Sequence, residues 1–253
     1  MGAMMQSCTF AAFADPHYAQ RDPHIGRFYR QSPEKLRQCL PAFSAPDVDF
    51  VVCLGDLVDG TRADAEEMAA LAKEAGKPVC YAAGNHDLAA LPRETLQSIF
   101  DWPDPNGYYA FTVNGIRFLV LDTNHDGDSD RLPPWDVTSI DARQLAWLRA
   151  QLADPKPTVV FAHANLDDRR RPDGTRDPHV IVNHAEVRSI LEASGQVHLV
   201  VQGHCHAGAC THQNGIEYLT LRAMVQGLSE NDAAIITVRS DGTHTIRRLF
   251  GEA

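Results

Sequence analysis

The amino-acid sequence predicts a layered α/β fold, and three observations support that prediction. Short apolar runs rich in β-branched residues alternate along the chain with longer segments that have the periodicity of amphipathic helices. Asn-Gly and Asp-Gly pairs separate further β-rich runs, as they do in hairpins. With 253 residues, of which 44% are hydrophobic and 22% charged, the chain can bury one large core. We therefore expect a single domain over residues 5–253, with Met1 to Met4 as a remnant of cloning.

The apolar runs are interpreted as buried strands, because they are short, strongly hydrophobic and bounded by turn residues. They lie at residues 8–14, 48–54, 78–83, 118–121, 158–162 and 197–201. Helices are predicted between them, over residues 32–43, 62–75, 92–100, 139–152 and 184–193. Two of these helices carry start signals: Pro33 in the first turn of one, and Thr138 or Ser139 at the start of another.

Antiparallel strands are expected to extend this core, because three dipeptides predict hairpins: Asn114-Gly115, Asn214-Gly215 and Asp241-Gly242. Three other stretches are polar, rich in Pro, Gly or Asp, and without periodicity: residues 17–31, 122–136 and 165–178. Long loops in a compact domain are usually functional or disordered. We expect these loops to form walls around a site at the strand ends.

Composition narrows the kinds of partner that the protein can have. The formal net charge is −10 and the sequence pI is about 5.6, so general nucleic-acid binding is not expected. A small phosphorylated substrate is still compatible with this charge, because bound cations reverse its sign locally. No apolar stretch approaches the roughly 20 residues of a membrane span, and the N-terminus lacks the basic region of a secretory signal. The six separated cysteines are expected to be reduced thiols of a cytoplasmic protein.

Metal-binding side chains follow five of the predicted strands: Asp15 with His17, Asp56, Asn85, His163, and His204 with His206. Residues two apart in an extended segment point to the same side, so each of the two pairs can bind a cation together. The carboxylate of Asp56 can bridge two cations, and Asn85 offers a neutral amide oxygen. Because loops after successive strands converge at one sheet edge, the segments together predict a site for two divalent cations.

Each segment alone has a simpler interpretation that the sequence leaves open. Asp15-Pro16 also initiates turns, Gly84-Asn85-His86-Asp87 also reads as a plain turn, and His163 also suits an ordinary buried position. A structural zinc site is a further alternative, with the ligands Cys205, His206, Cys210 and His212. Such a site needs two separate pairs in a small module, whereas here the pairs overlap within one strand-turn-strand stretch.

The order of these motifs resembles the calcineurin-like metallophosphoesterase family: Asp-x-His, Gly-Asp-x-x-Asp, Gly-Asn-His-Asp, a lone His and Gly-His-x-His. The resemblance extends from Asp15 to His206. It implies two mixed β-sheets packed as a sandwich and flanked by helices, in a four-layer αββα arrangement. It also implies two divalent ions, manganese, iron or zinc. The family pattern assigns one ion to Asp15, His17, Asp56 and His206, and the other to Asp56, Asn85, His163 and His204.

The same resemblance implies catalytic roles for His86 and Asp59. His86 would approach the substrate phosphate and the leaving-group oxygen, oriented by the carboxylate of Asp59, while a metal-bound hydroxide attacks the phosphorus. Many relatives have a second His or a Pro close after the lone His. This chain offers Asn165 after His163, so the substrate contacts on that side are expected to differ.

Several other stretches are similar to the manganese-dependent ADP-ribose/CDP-alcohol diphosphatase branch of the family, among them Arg27-Phe-Tyr-Arg30. Arg27 and Arg30 suit phosphate contacts and Tyr29 suits stacking on a base, although a solvated loop with an aromatic anchor fits the same residues. The expected reaction is hydrolysis of a phosphodiester or nucleotide-type pyrophosphate bond in a small molecule. The alternatives are a phosphomonoesterase or phosphoprotein phosphatase on the same site, or a non-enzymatic scaffold, which would be expected to lose ligands.

Overall fold

A computed structural model describes residues 6–127, 132–228 and 231–250 of the chain. The proposed remnant Met1 to Met4, and residues 128–131 of the predicted loop 122–136, lie outside the described residues. The described chain forms two mixed β-sheets that pack face to face, with helices on their outer faces. The predicted αββα sandwich is therefore confirmed.

The described residues form eleven strands: β1 (Ser7–Phe13), β2 (Phe50–Cys53), β3 (Val79–Tyr81), β4 (Tyr109–Val113), β5 (Ile116–Val120), β6 (Thr158–Ala162), β7 (Val197–Gln202), β8 (Ala209–Gln213), β9 (Ile216–Thr220), β10 (Ala233–Arg239) and β11 (His244–Arg248). Six α-helices lie among them: α1 (Ser32–Phe43), α2 (Arg62–Lys73), α3 (Asn85–Ala90), α4 (Arg93–Phe100), α5 (Ala142–Leu152) and α6 (His184–Ser194). In this described part of the chain, none of the helices is long and apolar enough to cross a lipid bilayer.

The first sheet has the strand order β11-β10-β1-β2-β3, and the second has the order β4-β5-β6-β7-β9-β8. Parallel pairing links β1 to β2 and β2 to β3 in the first sheet, and β5 through β6 and β7 to β9 in the second. Each of the three hairpins supplies an antiparallel edge strand: β4, β8 and β11. The parallel strands of each sheet thus end side by side at one edge, where a site can form.

A cluster of phenylalanines joins the two sheets. The rings of Phe10 on β1 and Phe50 on β2 stack with centroids 5.2 Å apart, and Phe161 on β6 meets Phe10 edge-on at 5.2 Å. Successive residues of a strand point to opposite faces. Phe13 accordingly faces the outside of the first sheet, where it stacks on Phe43 of α1 at 6.0 Å.

The second sheet shows the same alternation. Phe118 of β5 lies in the core between the sheets, whereas the next residue, Leu119, faces outward. Leu119 packs in a second apolar cluster with Leu148 of α5 and Leu191 of α6. Helices therefore cover the outer face of each sheet, and both faces of the central strands are buried, which accounts for their continuous hydrophobic runs.

The three predicted hairpins are confirmed. Between β4 and β5, Asn114 and Gly115 have φ angles of 48° and 77°, and between β8 and β9, Asn214 and Gly215 have φ angles of 50° and 83°. Two successive residues with positive φ give a type I′ turn, whose twist matches that of the flanking strands. Asp241-Gly242 joins β10 to β11.

Helix α5 begins later than predicted, and helix α3 was not predicted. Helix α5 begins at Ala142 rather than at residue 139, because Oδ1 of Asp141 accepts a hydrogen bond from the amide of Gln144 at 2.6 Å and so caps the helix. The Gly84-Asn85-His86-Asp87 segment is not a plain turn, because α3 begins within it. The carboxylate of Asp87 accepts a hydrogen bond from the amide of Gly84 at 3.0 Å, as in a capping box.

Candidate dinuclear metal centre

The predicted ligands meet at one edge of the sandwich. They follow β1, β2 and β3 of the first sheet and β6 and β7 of the second, and they are Asp15 with His17, Asp56, Asn85, His163, and His204 with His206. All but His206 are buried, and His206 is partly buried. The two sheets therefore contribute ligands to one place, as expected for loops at the carboxyl ends of parallel strands.

Four of these residues have a backbone conformation that residues other than glycine rarely adopt. The φ angles are 53° at Asp15, 47° at His17, 51° at Asp56 and 67° at His204. Contacts between loops hold them there: the amide of Asp15 donates to the carbonyl of Gly55 at 3.1 Å, and the amide of His17 donates to that of Asp56 at 2.8 Å. Such strained positions concentrate at functional sites, where the surrounding structure offsets their cost.

Glycines allow the ligand loops to approach one another closely. A Cβ atom on Gly84 would overlap the amide nitrogen and Oδ1 of Asp56, and one on Gly203 would lie 2.7 Å from Oδ2 of Asp15. Gly55 has a φ of +93°, and a Cβ atom there would lie 2.6 Å from Nδ1 of His163. The glycines of the Gly-Asp, Gly-Asn and Gly-His motifs are thus required by the close packing of the site.

One cluster consists of Asp15, His17 and His206, whose ligand atoms all lie within 4.8 Å of one another. Nε2 of His17 is 3.2 Å from Nε2 of His206 and 3.8 Å from Oδ1 of Asp15. Other contacts position these side chains. The amide of His204 donates to both oxygens of Asp15, at 3.1 and 3.0 Å, and the side-chain amide of Gln226 lies 2.8 Å from Nδ1 of His206.

A second cluster consists of Asp56, His163 and His204. Nε2 of His163 lies 3.3 Å from Oδ2 of Asp56 and 3.1 Å from Oδ1 of Asn85, so the amide of Asn85 joins this cluster. The other ring nitrogen of His163 donates to the carbonyl of Leu54 at 2.8 Å, which leaves Nε2 for a ligand role. Nε2 of His204 is buried and has no hydrogen-bond partner among the described residues.

Asp56 lies between the two clusters. Its Oδ2 is 3.4 Å from Nε2 of His17 and 3.3 Å from Nε2 of His163. Metal–ligand bonds of about 2.0 to 2.2 Å place neighbouring ligands of one cation roughly 3.0 to 3.4 Å apart. Several separations fall in that range, and the donors are the imidazole nitrogens and carboxylate and amide oxygens that divalent cations bind. Together with the unpartnered nitrogen of His204, these residues fit two divalent cations.

The electrostatics of the clusters favour cation binding. Burial alone would raise the pKa of Asp56, but the nearby charges of His163 and His17 lower it well below its usual range. Burial would lower the pKa of His17 and of His163, yet neighbouring carboxylates, Asp56 above all, raise each pKa to about 9. Burial lowers the pKa of His206 to about 4. Without a bound cation, protons on His17 and His163 thus balance the negative charge of the buried carboxylates. Metal binding releases these protons.

Asp59 joins three side chains at the mouth of the site. Its Oδ1 forms an ion pair with Nδ1 of His86 and lies 3.2 Å from Nδ1 of His17, while its Oδ2 accepts a hydrogen bond from Arg21. Burial would raise the pKa of Asp59, but the hydrogen bonds from His17 and His86 lower it below its usual range. The side chain of His86 is 34% exposed, whereas His17 is fully buried. Asp59 engages Nδ1 of His86, so its carboxylate leaves Nε2 of that ring free.

Two arginines, Arg27 and Arg30, were predicted to contact the substrate, and only one of them lies near the site in the structure. Arg27 pairs with Gln226 in an isolated β-bridge, and Gln226 contacts His206, so Arg27 lies beside the first cluster. Arg30 instead forms an exposed ion pair with Asp22 at 2.8 Å. Of the two, Arg27 is the one that the fold brings to the site.

The other two residues predicted to contact the substrate are buried. Tyr29 is 2% exposed, and the guanidinium of Arg21 lies 3.9 Å above its ring, so the ring has no open face for a base on that side. Asn165 is fully buried, and its side-chain amide donates to the carbonyl of Gly203 at 3.0 Å. The structure does not present either side chain to a substrate. Both instead anchor the loops of the site.

Two residues that the sequence did not single out form a wall beside the second cluster. The rings of Trp135 and His179 lie 5.8 and 5.3 Å from the ring of His204, and 5.4 Å from each other. Trp135 is 45% exposed. It belongs to the loop 122–136 that was expected to form a wall, but nothing in its local sequence distinguishes it. Arg21 was missed for the same reason.

The alternative zinc site does not form. His206 lies in the first cluster, whereas Cys210 and His212 group with Glu217 of β9. Cys205 belongs to none of the metal-binding clusters found among the described residues. His206 and the pair Cys210 and His212 thus belong to different groups, so the four residues do not share one site.

The chain matches the family model described as calcineurin-like phosphoesterase over residues 8–208. A relative from Fibrobacter succinogenes, named "Probable cyclic nucleotide phosphodiesterase", is 30% identical over 201 residues, which cover 74% of this chain and 70% of the relative. An Arabidopsis thaliana protein named manganese-dependent ADP-ribose/CDP-alcohol diphosphatase is 24% identical over an alignment 272 positions long, in which 86% of each chain is covered.

Solved structures show the same fold. A dimetal phosphatase from Danio rerio has a TM-score of 0.76 at 19% identity, with 97% of this chain and 99% of that one covered. A purple acid phosphatase from yellow lupin has a TM-score of 0.67 at 15% identity, with 96% of this chain and 51% of that one covered. The family model extends over most of the chain and contains the predicted ligand segments. The chain therefore belongs to the calcineurin-like phosphoesterase family of metal-dependent hydrolases.

Proposed function

We propose that this protein hydrolyses a phosphodiester or nucleotide-type pyrophosphate bond in a small molecule with the help of two divalent cations. The position of Asp56 carries the proposal, because one of its oxygens lies 3.4 Å from a ligand atom of one cluster and 3.3 Å from a ligand atom of the other. The proposed ligands of the first cation are Asp15, His17, Asp56 and His206. Those of the second are Asp56, Asn85, His163 and His204.

Cations bound there lower the pKa of a water molecule and neutralise charge on the phosphoryl group. The side chains of the protein supply the remaining steps. His86, whose Nδ1 is held by Asp59, can donate a proton from Nε2 to the departing oxygen, which leaves as an alcohol or a phosphate. Asp59 holds the ring of His86 in place, and Arg21, bound to the same carboxylate, brings a positive charge to the mouth.

The wall formed by Trp135 and His179 supports a substrate that carries an aromatic group, such as a nucleobase. Trp135 is exposed and lies beside the second cluster, so a flat group attached to a phosphoryl bound at the cations can stack on it. Arg27, beside the first cluster, suits a second phosphate. We therefore propose that Trp135, rather than Tyr29, stacks on the base.

The names of the relatives support the same class of substrate. One is named as a cyclic nucleotide phosphodiesterase and another as a manganese-dependent diphosphatase of ADP-ribose and CDP-alcohols. A cyclic nucleotide contains a phosphodiester. ADP-ribose and CDP-alcohols contain a pyrophosphate between a nucleoside and a second group. We accordingly propose manganese as the first cation to test. The six unpaired thiols support the proposal that the protein works in the reducing cytoplasm.

A substrate panel tests the proposal. Protein stripped with a chelator and reloaded with Mn²⁺ is assayed against ADP-ribose, a CDP-alcohol, a cyclic nucleotide, a glycerophosphodiester, an aryl phosphomonoester and a phosphopeptide. We expect the highest kcat/KM on a diester or pyrophosphate, loss of activity without metal, and none in Asp56→Asn. Activity confined to the monoester or the phosphopeptide would contradict the proposal and favour the corresponding phosphatase.

The same panel tests the aromatic wall. Truncating Trp135→Ala removes a stacking surface that is worth about 1 to 3 kcal/mol per base, so KM for the nucleotide substrate should rise at least about fivefold. Trp135→Phe should largely restore it, and the glycerophosphodiester, which has no base, should be unaffected. An equal loss on both substrates would show that Trp135 only shapes the metal centre.

A further inference from the structure

A further group of side chains of the types that bind metals lies on the β8–β9 hairpin, outside the two clusters described above. Cys210 and His212 are two residues apart on the edge strand β8, so their side chains lie on one face of the sheet. His212 is directly opposite Glu217 of β9 in the strand register. One ligand atom from each of the three lies within 4.8 Å of the others.

The contacts within this group converge on the carboxylate of Glu217. Sγ of Cys210 is 3.4 Å from Oε1, and Nε2 of His212 is 3.0 Å from Oε2. His244, on the edge strand β11 of the other sheet, places its Nε2 2.9 Å from the same Oε2. Three potential proton donors thus surround one carboxylate at the rim where the two sheets meet.

We propose that Cys210, His212 and Glu217 form a separate binding site for a borderline-soft divalent cation such as Zn²⁺. Thiolate, imidazole and carboxylate are the three ligand types that zinc uses in proteins. Tetrahedral ligands with these bond lengths lie roughly 3.3 to 3.6 Å apart, so the observed 3.0 and 3.4 Å require only a small adjustment. On binding, the thiol proton of Cys210 leaves to solvent, and the cation replaces it as the partner of the carboxylate.

His244 has a different part in this site. Metal-binding carboxylates are themselves usually hydrogen-bonded by another side chain, which fixes their orientation. His244 occupies that place for Glu217, and both side chains are mostly buried, at 16% and 15% exposure. His212 is 71% exposed, so the fourth coordination position faces solvent. The cation would fix the edge strand β8 to β9 and, through His244, to β11 of the other sheet.

The ligand types also distinguish this site from the strand-end centre. That centre is lined by carboxylate, imidazole and amide groups, and none of its proposed ligands is a cysteine. A thiolate shifts the preference toward softer ions, so Zn²⁺ and Co²⁺ should occupy the β8–β9 site more readily than Mn²⁺. The exposed position of Cys210 and His212 makes the site accessible to metal from solution.

Cobalt spectroscopy on the full chain tests this proposal. A thiolate bound to Co²⁺ gives a strong charge-transfer band in the near ultraviolet, and the strand-end centre cannot produce one. Chelator-treated protein titrated with Co²⁺ should develop this band, and Zn²⁺ should displace it. Elemental analysis of zinc-loaded protein should show one more equivalent per chain in the wild type than in Cys210→Ser.

Matched variants make the outcome decisive. Cys210→Ser should abolish the band, and His212→Ala and Glu217→Gln should each weaken Co²⁺ binding at least about tenfold. Cys205→Ser removes a partly exposed thiol that is close to Cys210 in the chain and should keep the band. Far-ultraviolet circular dichroism and the manganese-dependent activity of Cys210→Ser verify its fold. Absence of the band in the wild type, its persistence in Cys210→Ser, or its loss in Cys205→Ser would overturn the proposal.

Discussion

The sequence predicts that Asp56 is a metal ligand, but it does not predict the backbone conformation or the position of this residue. A carboxylate that follows a glycine at the end of an apolar run predicts a ligand at a strand end. Its left-handed backbone and its place between His17 and His163 depend on loops that are far away in the chain. Residue type and order were therefore enough to propose a ligand set, whereas the geometry required the contacts of the folded molecule.

The partners of Asp59 show the same division. Its proximity to a histidine was predicted, and the structure places both His86 and His17 against it. Arg21, its third partner, comes from a loop without periodicity or motif, so the sequence held no signal for it. A missed residue of this kind can be recognised only once the loop is placed over the site.

Replacing His86 with alanine tests its assigned role. The variant loses the group proposed to donate a proton, so kcat should fall by roughly 10²- to 10⁴-fold. Metal content by elemental analysis should remain at the wild-type value, because the proposed ligand sets do not include His86, although its ring also lies within 4.8 Å of ligand atoms of His17 and Asp56. His24→Ala, a histidine in the exposed part of the neighbouring loop, serves as the control. Loss of metal from His86→Ala would instead make His86 a ligand.

Among the elements, the junction of β3 and α3 shows why local sequence can be ambiguous. Gly, Asn and Asp favour turns and also favour the first residues of helices, so Gly84 to Asp87 was compatible with either. The structure resolves this, because Asp87 accepts hydrogen bonds from the amide of Gly84 and from the amide of Val58, both at 3.0 Å. One carboxylate thus caps α3 and ties it to the loop after β2.

Substituting Gly84 with alanine tests this junction. Gly84 has a φ of −92°, which any residue tolerates, so the only new cost is the overlap of the Cβ atom with Asp56. We expect metal affinity to fall roughly tenfold or more, together with activity, because the displaced carboxylate serves both clusters. Gly76→Ala, with open space around it, should cost about 1 kcal/mol from its positive φ and leave metal binding intact. Normal metal affinity in Gly84→Ala would contradict the close approach.

At the scale of the whole molecule, the sequence predicted the layers but not which strands are neighbours. Turn dipeptides specify hairpin partners, since those strands are adjacent in the chain. Parallel partners are brought together by packing of both faces, as for β7 and β9, which are separated in sequence by β8. The pairing of the two sheets likewise depends on Phe10, Phe50 and Phe161 meeting in the core.

Two thiols, the buried Cys39 of α1 and the partly buried Cys80 of β3, predict how stability depends on pH. Burial raises the pKa of Cys39 and of Cys80 from 9.0 to about 12. Between these values the unfolded chain has lost the thiol protons while the folded chain keeps them. The unfolded state then binds fewer protons, so the free energy of unfolding falls as pH rises from about 9 toward 12, by up to about 1.4 kcal/mol per pH unit for each thiol.

Urea unfolding under reducing conditions at several pH values between 8 and 11 measures this dependence. In Cys39→Ala, a cavity lowers stability at every pH, but the slope above pH 9 should be shallower than in the wild type because one titrating thiol is gone. Comparing slopes rather than absolute stabilities separates the two effects. Identical slopes in the two proteins would show that Cys39 titrates normally in the folded state.

The origin of the proposed ligands in both sheets has a consequence for thermodynamic linkage. A cation that binds the folded chain alone stabilises it by about 2.7 kcal/mol when its free concentration is 100 times its Kd. Because the proposed ligands of each ion come from both halves of the sandwich, for example Asp15 after β1 and His206 after β7, separating the sheets would release the ions. Resistance to heat should therefore depend on free metal concentration. Activities of ligand variants are comparable only at concentrations that saturate each of them.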